Sequence, residues 1–352
     1  MNRRSFLAKA TFATAATSLS APFVYSQSKT SYDGHIVGHG DFKYRVDTKW
    51  SKADSKTHPV RDCHEMVQSK DGRLFLLTND AKNNVLVYNT DGTLVDSWTL
   101  KLNGAHGLTI DQAEGKEHLY ITDTKGRVLK SSLDGEIHLE LPLAKDCGAY
   151  SATSKYAPTE TAVGPNGDIY VADGYGSQYI LHFDSTGRYL KKFGGKSTQP
   201  VNKGKFMQAH GVALDTRGTE PLLVCTARIR NEFVWFDLNG KHRKTIYLPG
   251  AFVSRPVIHG DNLYSGICFG AYENDYRMWV NRGFVTVLDK NDNVVSNPGG
   301  KAPAYKNGKV TLMLQDIPLF KNCHDVCVDS EQNLYVCQWN ANKVYPYKLT
   351  RV

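Results

Sequence analysis

Four histidines recur in one local context: "DCHEMVQ" at His64, "AHGLTID" at His106, "AHGVALD" at His210 and "NCHDVCVD" at His324. Imidazole is the commonest protein metal ligand, and three neutral imidazoles with one position left open suit zinc. Glu160, in "PTETAVG", stands where a further copy of the pattern would carry its histidine. A carboxylate added to the imidazoles would suit manganese or iron. The candidate metal ligands are therefore His64, His106, His210, His324 and Glu160. A single histidine in a strand is ordinarily a hydrogen-bonded polar residue lining water. Four in the same register, at the head of the same pattern, argue for convergence on one ion.

The elements that must bring them together are legible in the same stretches. Each histidine opens a short apolar run, a turn follows, and a second run ends in a small or charged residue: "RLFLLTND", "HLYITDT", "LLVCTAR", "NLYVCQW". Repeats of roughly 40 to 50 residues, each holding several short strands, are the pattern of a β-propeller, whose blades cannot bury their faces alone. If the histidines open the innermost strand of each blade, alternation aims them all at the axis. Blades begin at His64, at His106, at Ala157 with Glu160, at His210, near Arg255 in "SRPVIHGDNLYSGICFG", and at His324. The fold is all-β with six blades, and five is the competing count if the divergent segment near Arg255 is an insertion. Within that segment, "AYENDYRMWVNRG" (Ala271 to Gly283) reads as a loop over one mouth of the ring. The last blade lacks an outer strand, whereas "DFKYRVDTKW" (Asp41 to Trp50) is a strand without a blade, so the N-terminal strand closes the ring.

Bulk properties agree with one large domain. The chain has 352 residues, 41% of them apolar, enough for a core. Its formal charge of +8 is spread along the sequence, which favours solubility over nucleic-acid binding. Residues 1–26 have the layout of a twin-arginine export signal, with Arg3, Arg4, Phe6 and Leu7 ahead of an Ala/Thr-rich run. That run is too short and interrupted to anchor the chain in a bilayer. Residues 27–40 are a polar lead-in, and 41–352 form the single propeller domain. The expected location is the periplasm or the exterior. Export permits disulfides among the seven cysteines. Cys327 with Cys337, and Cys63 with Cys323, are the pairs whose positions allow a bridge.

The stretch "APTETAVGPNGDIYVADGYGSQYILHFDSTGRYLKKFG", Ala157 to Gly194, matches the repeat called NHL. With "DGYGSQYI", "AHGLTID", "AHGVALD" and "CHDVCVD", the chain after about residue 60 resembles peptidyl-α-hydroxyglycine α-amidating lyase. That family is a six-bladed NHL-type propeller that splits C-terminally hydroxylated glycine peptides into amide and glyoxylate. The resemblance implies zinc on His106, His210 and His324, Tyr175 as base, and Arg228 as the guanidinium beside it. It also implies a structural calcium on Asp325 and on the backbone carbonyls of Leu108 and Met66. Two departures stand out. The family's second active-site arginine aligns with Asn79, and His64 and Glu160 have no ligand counterpart.

The expected function is thus that of an exported, monomeric, metal-dependent lyase acting on a small molecule or short peptide. The alternatives are a non-catalytic NHL propeller with a structural ion in its channel, and a metal enzyme acting on a sugar-like substrate. A calcium-dependent lactonase-type propeller would want Asp, Asn and Glu around the axis, where imidazoles dominate instead.

Overall fold

The computed structural model describes residues 31–112, 115–199 and 203–352. The twin-arginine stretch at 1–26, and the lead-in as far as residue 30, lie outside the described residues.

Leu74–Thr78 reads LFLLT, apolar without alternation, because both of its faces are covered. Leu74 and Leu76 pack with Met66, Trp50 and Tyr335 on one side, and Phe75 and Leu77 with Leu108, Leu119 and Ile121 on the other. The same division recurs in Leu222–Ala227, where Leu223 and Cys225 face Tyr170 and Ala172 while Val224 faces Val253 and Leu263. Six apolar layers result, each between two neighbouring sheets. An open stack of as many sheets would have one layer fewer, so the ring is closed. The architecture is an all-β, six-bladed propeller.

Each blade is a meander with its innermost strand at the axis: Cys63–Gln68, Ala105–Asp111, Glu160–Val163, Ala209–Asp215 and Cys323–Val328 in five of them. In the fifth blade the inner element is split into Ala251–Val253 and Val257–His259, both paired with Asn262–Tyr272. Pro256 falls in the gap, where the lack of an N–H costs the ladder nothing. The segment expected as a loop from Ala271 is partly a hairpin, Asn262–Tyr272 running into Asp275–Trp279.

Ring closure follows the sequence expectation. Phe42–Asp47 pairs with Tyr347–Arg351, setting Tyr44 opposite Arg351 and Val46 opposite Leu349. Ile36–His39, inside the stretch read as lead-in, adds a fifth strand outside it.

The cysteine pairings do not form, and all seven thiols are free. Across the hairpin Cys337 lies opposite Asp325, and Cys327 opposite Tyr335, because the turn sets Val328 opposite Leu334 and so leaves the two cysteines two places out of register. Cys63 and Cys323 point into different apolar layers, on either side of the sixth blade.

Candidate functional site at the heads of the inner strands

The histidines occupy irregularities in their strands. Cys63 pairs with Thr78 and Glu65 with Leu77, so His64 sits in a slip of the ladder. The same slip occurs between Ala105 and Leu108, between Ala209 and Val212, and between Cys323 and Asp325. A bulge leaves a residue unpaired and re-aims its side chain, and here it turns each imidazole to the axis. The rings pack against one another, with centroids 4.8 Å apart for His64–His106, 4.6 Å for His64–His324, 4.7 Å for His106–His324, 4.8 Å for His106–His210 and 5.0 Å for His210–His324.

Hydrogen bonds decide which nitrogens are available. His106 Nδ1 lies 2.9 Å from Thr159 O, and His324 Nδ1 lies 3.0 Å from His64 O. A carbonyl only accepts, so both Nδ1 atoms carry the proton and both Nε2 atoms keep a lone pair, the arrangement of a metal ligand braced from behind. His324 Nε2, His64 Nδ1 and His210 Nδ1 are buried without a hydrogen-bond partner. Ligand atoms of His64, His106 and His324 lie within 4.8 Å of one another, a group able to hold a metal ion. Burial lowers the basicity of all four rings, bringing His64 down to about 4 with Asp62 opposing and Arg228 adding to the fall. Neutral imidazole is the form that binds metal, so the donor set fits a cation such as zinc.

Tyr175 stands over two of these rings, its Oη 3.1 Å from His106 Nε2 and 3.1 Å from His210 Nε2. Its turn is built on Asp173, whose carboxylate accepts from Ala157 N at 2.7 Å, Ser177 N at 2.5 Å and Tyr150 Oη at 2.7 Å. Gly174 permits the approach, since a Cβ there would lie 2.9 Å from His210 Cα and 2.5 Å from Ala209 O. Arg228 is buried and tied to the fifth blade, donating from Nε to Val253 O at 3.1 Å and from Nη2 to Ser254 Oγ at 3.0 Å. Burial pushes the Tyr175 phenol up, and the Arg228 charge pulls it back. Tyr175, Arg228 and the histidines are therefore brought together.

Two of the sequence-predicted ligands lie elsewhere. Glu160 accepts from Thr109 Oγ1 at 3.0 Å and Thr161 N at 2.9 Å, and stands 3.8 Å from Arg255 Nε. Its neighbour Thr159 is the residue that meets His106, so the sequence alignment was one residue out. Asp325 binds Arg255, with Oδ2 2.8 Å from Nη2. Glu65, 3.4 Å from Arg255 Nη1, joins them, and its carboxyl is pushed well above the usual range by burial, against the pull of Arg255. This second layer, Glu65, Glu160, Arg255 and Asp325, was not anticipated as a unit. Its signal was present, because Glu65 and Asp325 each directly follow a repeat histidine. Asn79 donates to Asp62 Oδ2 at 3.0 Å, so the mouth beside His64 carries a carboxylate at the place where the resemblance would lead one to look for a guanidinium. A cavity of about 770 Å³ opens at the other end of the channel, lined by Gln68, Thr109, Thr161, Arg255, His259 and Ser330, and does not reach the histidines.

No family model matches the chain. A curated relative, a probable peptidyl-α-hydroxyglycine α-amidating lyase of Caenorhabditis elegans, is 29% identical over 136 residues, which is 37% of this chain and 35% of that protein. The match thus spans about a third of the relative's length. Among solved structures, a streptogramin B lyase superposes with a TM-score of 0.55 at 13% identity, covering 87% of this chain and 97% of that one. A gluconolactonase of Xanthomonas campestris superposes with a TM-score of 0.56 at 13% identity, covering 89% of this chain and 91% of that one. These likenesses support the propeller fold, and the sequence match connects the chain distantly to a lyase. Among the described residues no helix is long and apolar enough to cross a membrane.

Proposed function

We propose that this chain is a metal-dependent lyase of the peptidyl-α-hydroxyglycine α-amidating type, acting on a small N-acylated α-hydroxyglycine or a short peptide ending in one. The observation that carries the reading is the meeting of Tyr175 Oη with His106 Nε2 and His210 Nε2 at 3.1 Å each, beside buried Arg228. His106 and His324, with His64 or His210, would hold the ion, and a bound zinc would acidify the substrate hydroxyl. With Tyr175 as the phenolate, the form that the Arg228 charge favours against burial, its Oη accepts the hydroxyl proton, the oxygen lone pair becomes the aldehyde carbonyl of glyoxylate, and the carbon–nitrogen bond breaks. Its electron pair leaves with the amide nitrogen, which takes a proton back, so atoms and charge balance. Arg228 offers its charge to the carboxylate of the substrate.

The test is glyoxylate release from an N-acyl-α-hydroxyglycine by the purified protein. Tyr175→Phe should lower kcat by about 10² or more, the usual scale of general acid–base catalysis, with metal content unchanged. Unchanged turnover in that variant would sink the assignment. A second reading keeps the metal site but takes another α-hydroxy or sugar-like substrate, and the Asp62–Asn79 pair at the place of the family's second arginine favours it. Under that reading the protein holds metal and releases no glyoxylate. The twin-arginine pattern at Arg3 and Arg4 supports export to the periplasm or beyond, which fractionation of cells making the full chain checks.

A further inference from the structure

The resemblance assigns a structural calcium to Asp325 and the carbonyls of Leu108 and Met66, and in this chain one side chain takes all three acceptors. Arg255 Nη1 donates to Leu108 O, Nη2 to Met66 O at 3.2 Å, and Nε and Nη2 to the two oxygens of Asp325 at 3.1 and 2.8 Å. Glu65 and Glu160 stand 3.4 and 3.8 Å away. These residues therefore do not fit a calcium ion, which would need the same oxygens at about 2.3–2.6 Å.

The surrounding chain is built for the guanidinium. A Cβ on Gly211 would lie 2.8 Å from Arg255 Cα, so only glycine lets the fourth blade come this close. Arg255 itself leaves the main chain in the gap of the split inner strand, beside Pro256. Met66 belongs to the first blade, Leu108 to the second, Arg255 to the fifth and Asp325 to the sixth, so one planar fork links four blades across the axis. Asp325 Oδ2 also accepts Met66 N–H at 3.0 Å, and Glu65 Oε2 accepts Leu108 N–H at 2.6 Å. The acceptors are thus fixed by the backbone they brace.

We propose that Arg255 is the axial cation of this propeller, a tethered charge in place of calcium, and that the protein folds and works without that ion. The inference is independent of the catalytic reading, since it concerns the layer beneath the histidines.

The test is elemental analysis of the purified protein, with thermal unfolding measured without calcium and with millimolar calcium chloride, for the wild type and Arg255→Ala. The wild type should hold no stoichiometric calcium, and its Tm should not respond to the ion. Removing the guanidinium leaves buried carboxylates without their partner, and Arg255→Ala should lose about 10 °C of Tm. Several degrees should return in calcium, because three carboxylates and two carbonyls remain to bind it. One calcium per wild-type chain, or a wild-type Tm that climbs with calcium, would overturn the proposal. So would an Arg255→Ala protein as stable as the wild type, or one that unfolds early and ignores calcium. If Arg255→Ala does not fold, the wild-type measurements decide.

Discussion

The channel holds two layers of side chains one residue apart in the chain, and they satisfy their polar atoms in opposite ways. In the upper layer His64, His210 and His324 each leave a buried ring nitrogen without a partner. In the lower layer the Arg255 fork places four hydrogen bonds on Asp325, Leu108 and Met66. Glu65 Oε1 and Glu160 Oε2 also lack a donor, but the two carboxyls hydrogen-bond to each other when one of them keeps its proton. Unsatisfied buried donors and acceptors are costly, so a chain keeps them where a ligand makes use of them. The contrast separates a layer suited to binding from a layer suited to holding the ring.

The sharpest way to break that contrast is to remove one residue from each layer. His106→Ala should abolish stoichiometric metal and lower turnover by more than about 10²-fold, since loss of a ligand exceeds the 10- to 100-fold cost of losing a ligand's hydrogen-bond partner. Its apo Tm should move less than that of Arg255→Ala. A large loss of apo stability with metal retained would reverse the roles assigned to the two layers. Metal analysis and calorimetry on the two variants provide the comparison.

Acid sharpens the same distinction. All four upper-layer histidines are depressed by burial, so they are neutral in the folded chain at pH values where the unfolded chain, with its ordinary value of about 6.5, takes up protons. Stability is therefore complete above about pH 6.5 and is lost as the pH falls toward the folded values, about 4 for His64. The slope is at most about 1.4 kcal/mol per pH unit for each histidine. Tm measured from pH 7.5 to 5 should fall, and fall less steeply in His106→Ala. A flat profile would mean that the rings take up protons in the folded chain as readily as in the unfolded one.

The fold was legible because the repeat is periodic: a histidine, an apolar run, a turn and a second run, copied with few changes, specify blades and their closure. Tyr175 and Arg228 came from a resemblance, and the structure sets both beside the histidines. What the sequence concealed is a matter of one residue. The bulges at His64 and His324 turn those rings to the axis from the position just before Glu65 and Asp325, and Glu160 heads its ladder where Glu65 and Asp325 head theirs, so it stands with the carboxylates. A bulge is a backbone event that leaves no mark in composition, and a one-residue slip moves every side chain to the other face. The free cysteines have another cause, since the turn that sets Val328 opposite Leu334 leaves Cys327 opposite Tyr335, two places from Cys337. The calcium expectation differs in kind: the oxygens it names, on Asp325, Leu108 and Met66, are all hydrogen-bonded by Arg255, which comes from a blade too divergent to align.

The smallest expected effect lies at the junction of the two layers. Ser254 and Arg255 are adjacent, yet the serine serves the upper layer, where its Oγ accepts from Arg228 Nη2 at 3.0 Å and donates to Cys323 O at 3.2 Å. Ser254→Ala removes one support of the Arg228 fork and leaves its bond to Val253 O in place. A single such hydrogen bond is worth about 1 kcal/mol, so a KM rise of about 5-fold with kcat nearly unchanged is expected if Arg228 holds the substrate carboxylate. Calcium response should stay absent, because the Arg255 contacts are untouched. If Ser254→Ala instead lowered kcat and left KM unchanged, Arg228 would be acting on the transition state rather than on the bound carboxylate, and its role would shift from binding to stabilising the charge that develops as the carbon–nitrogen bond breaks.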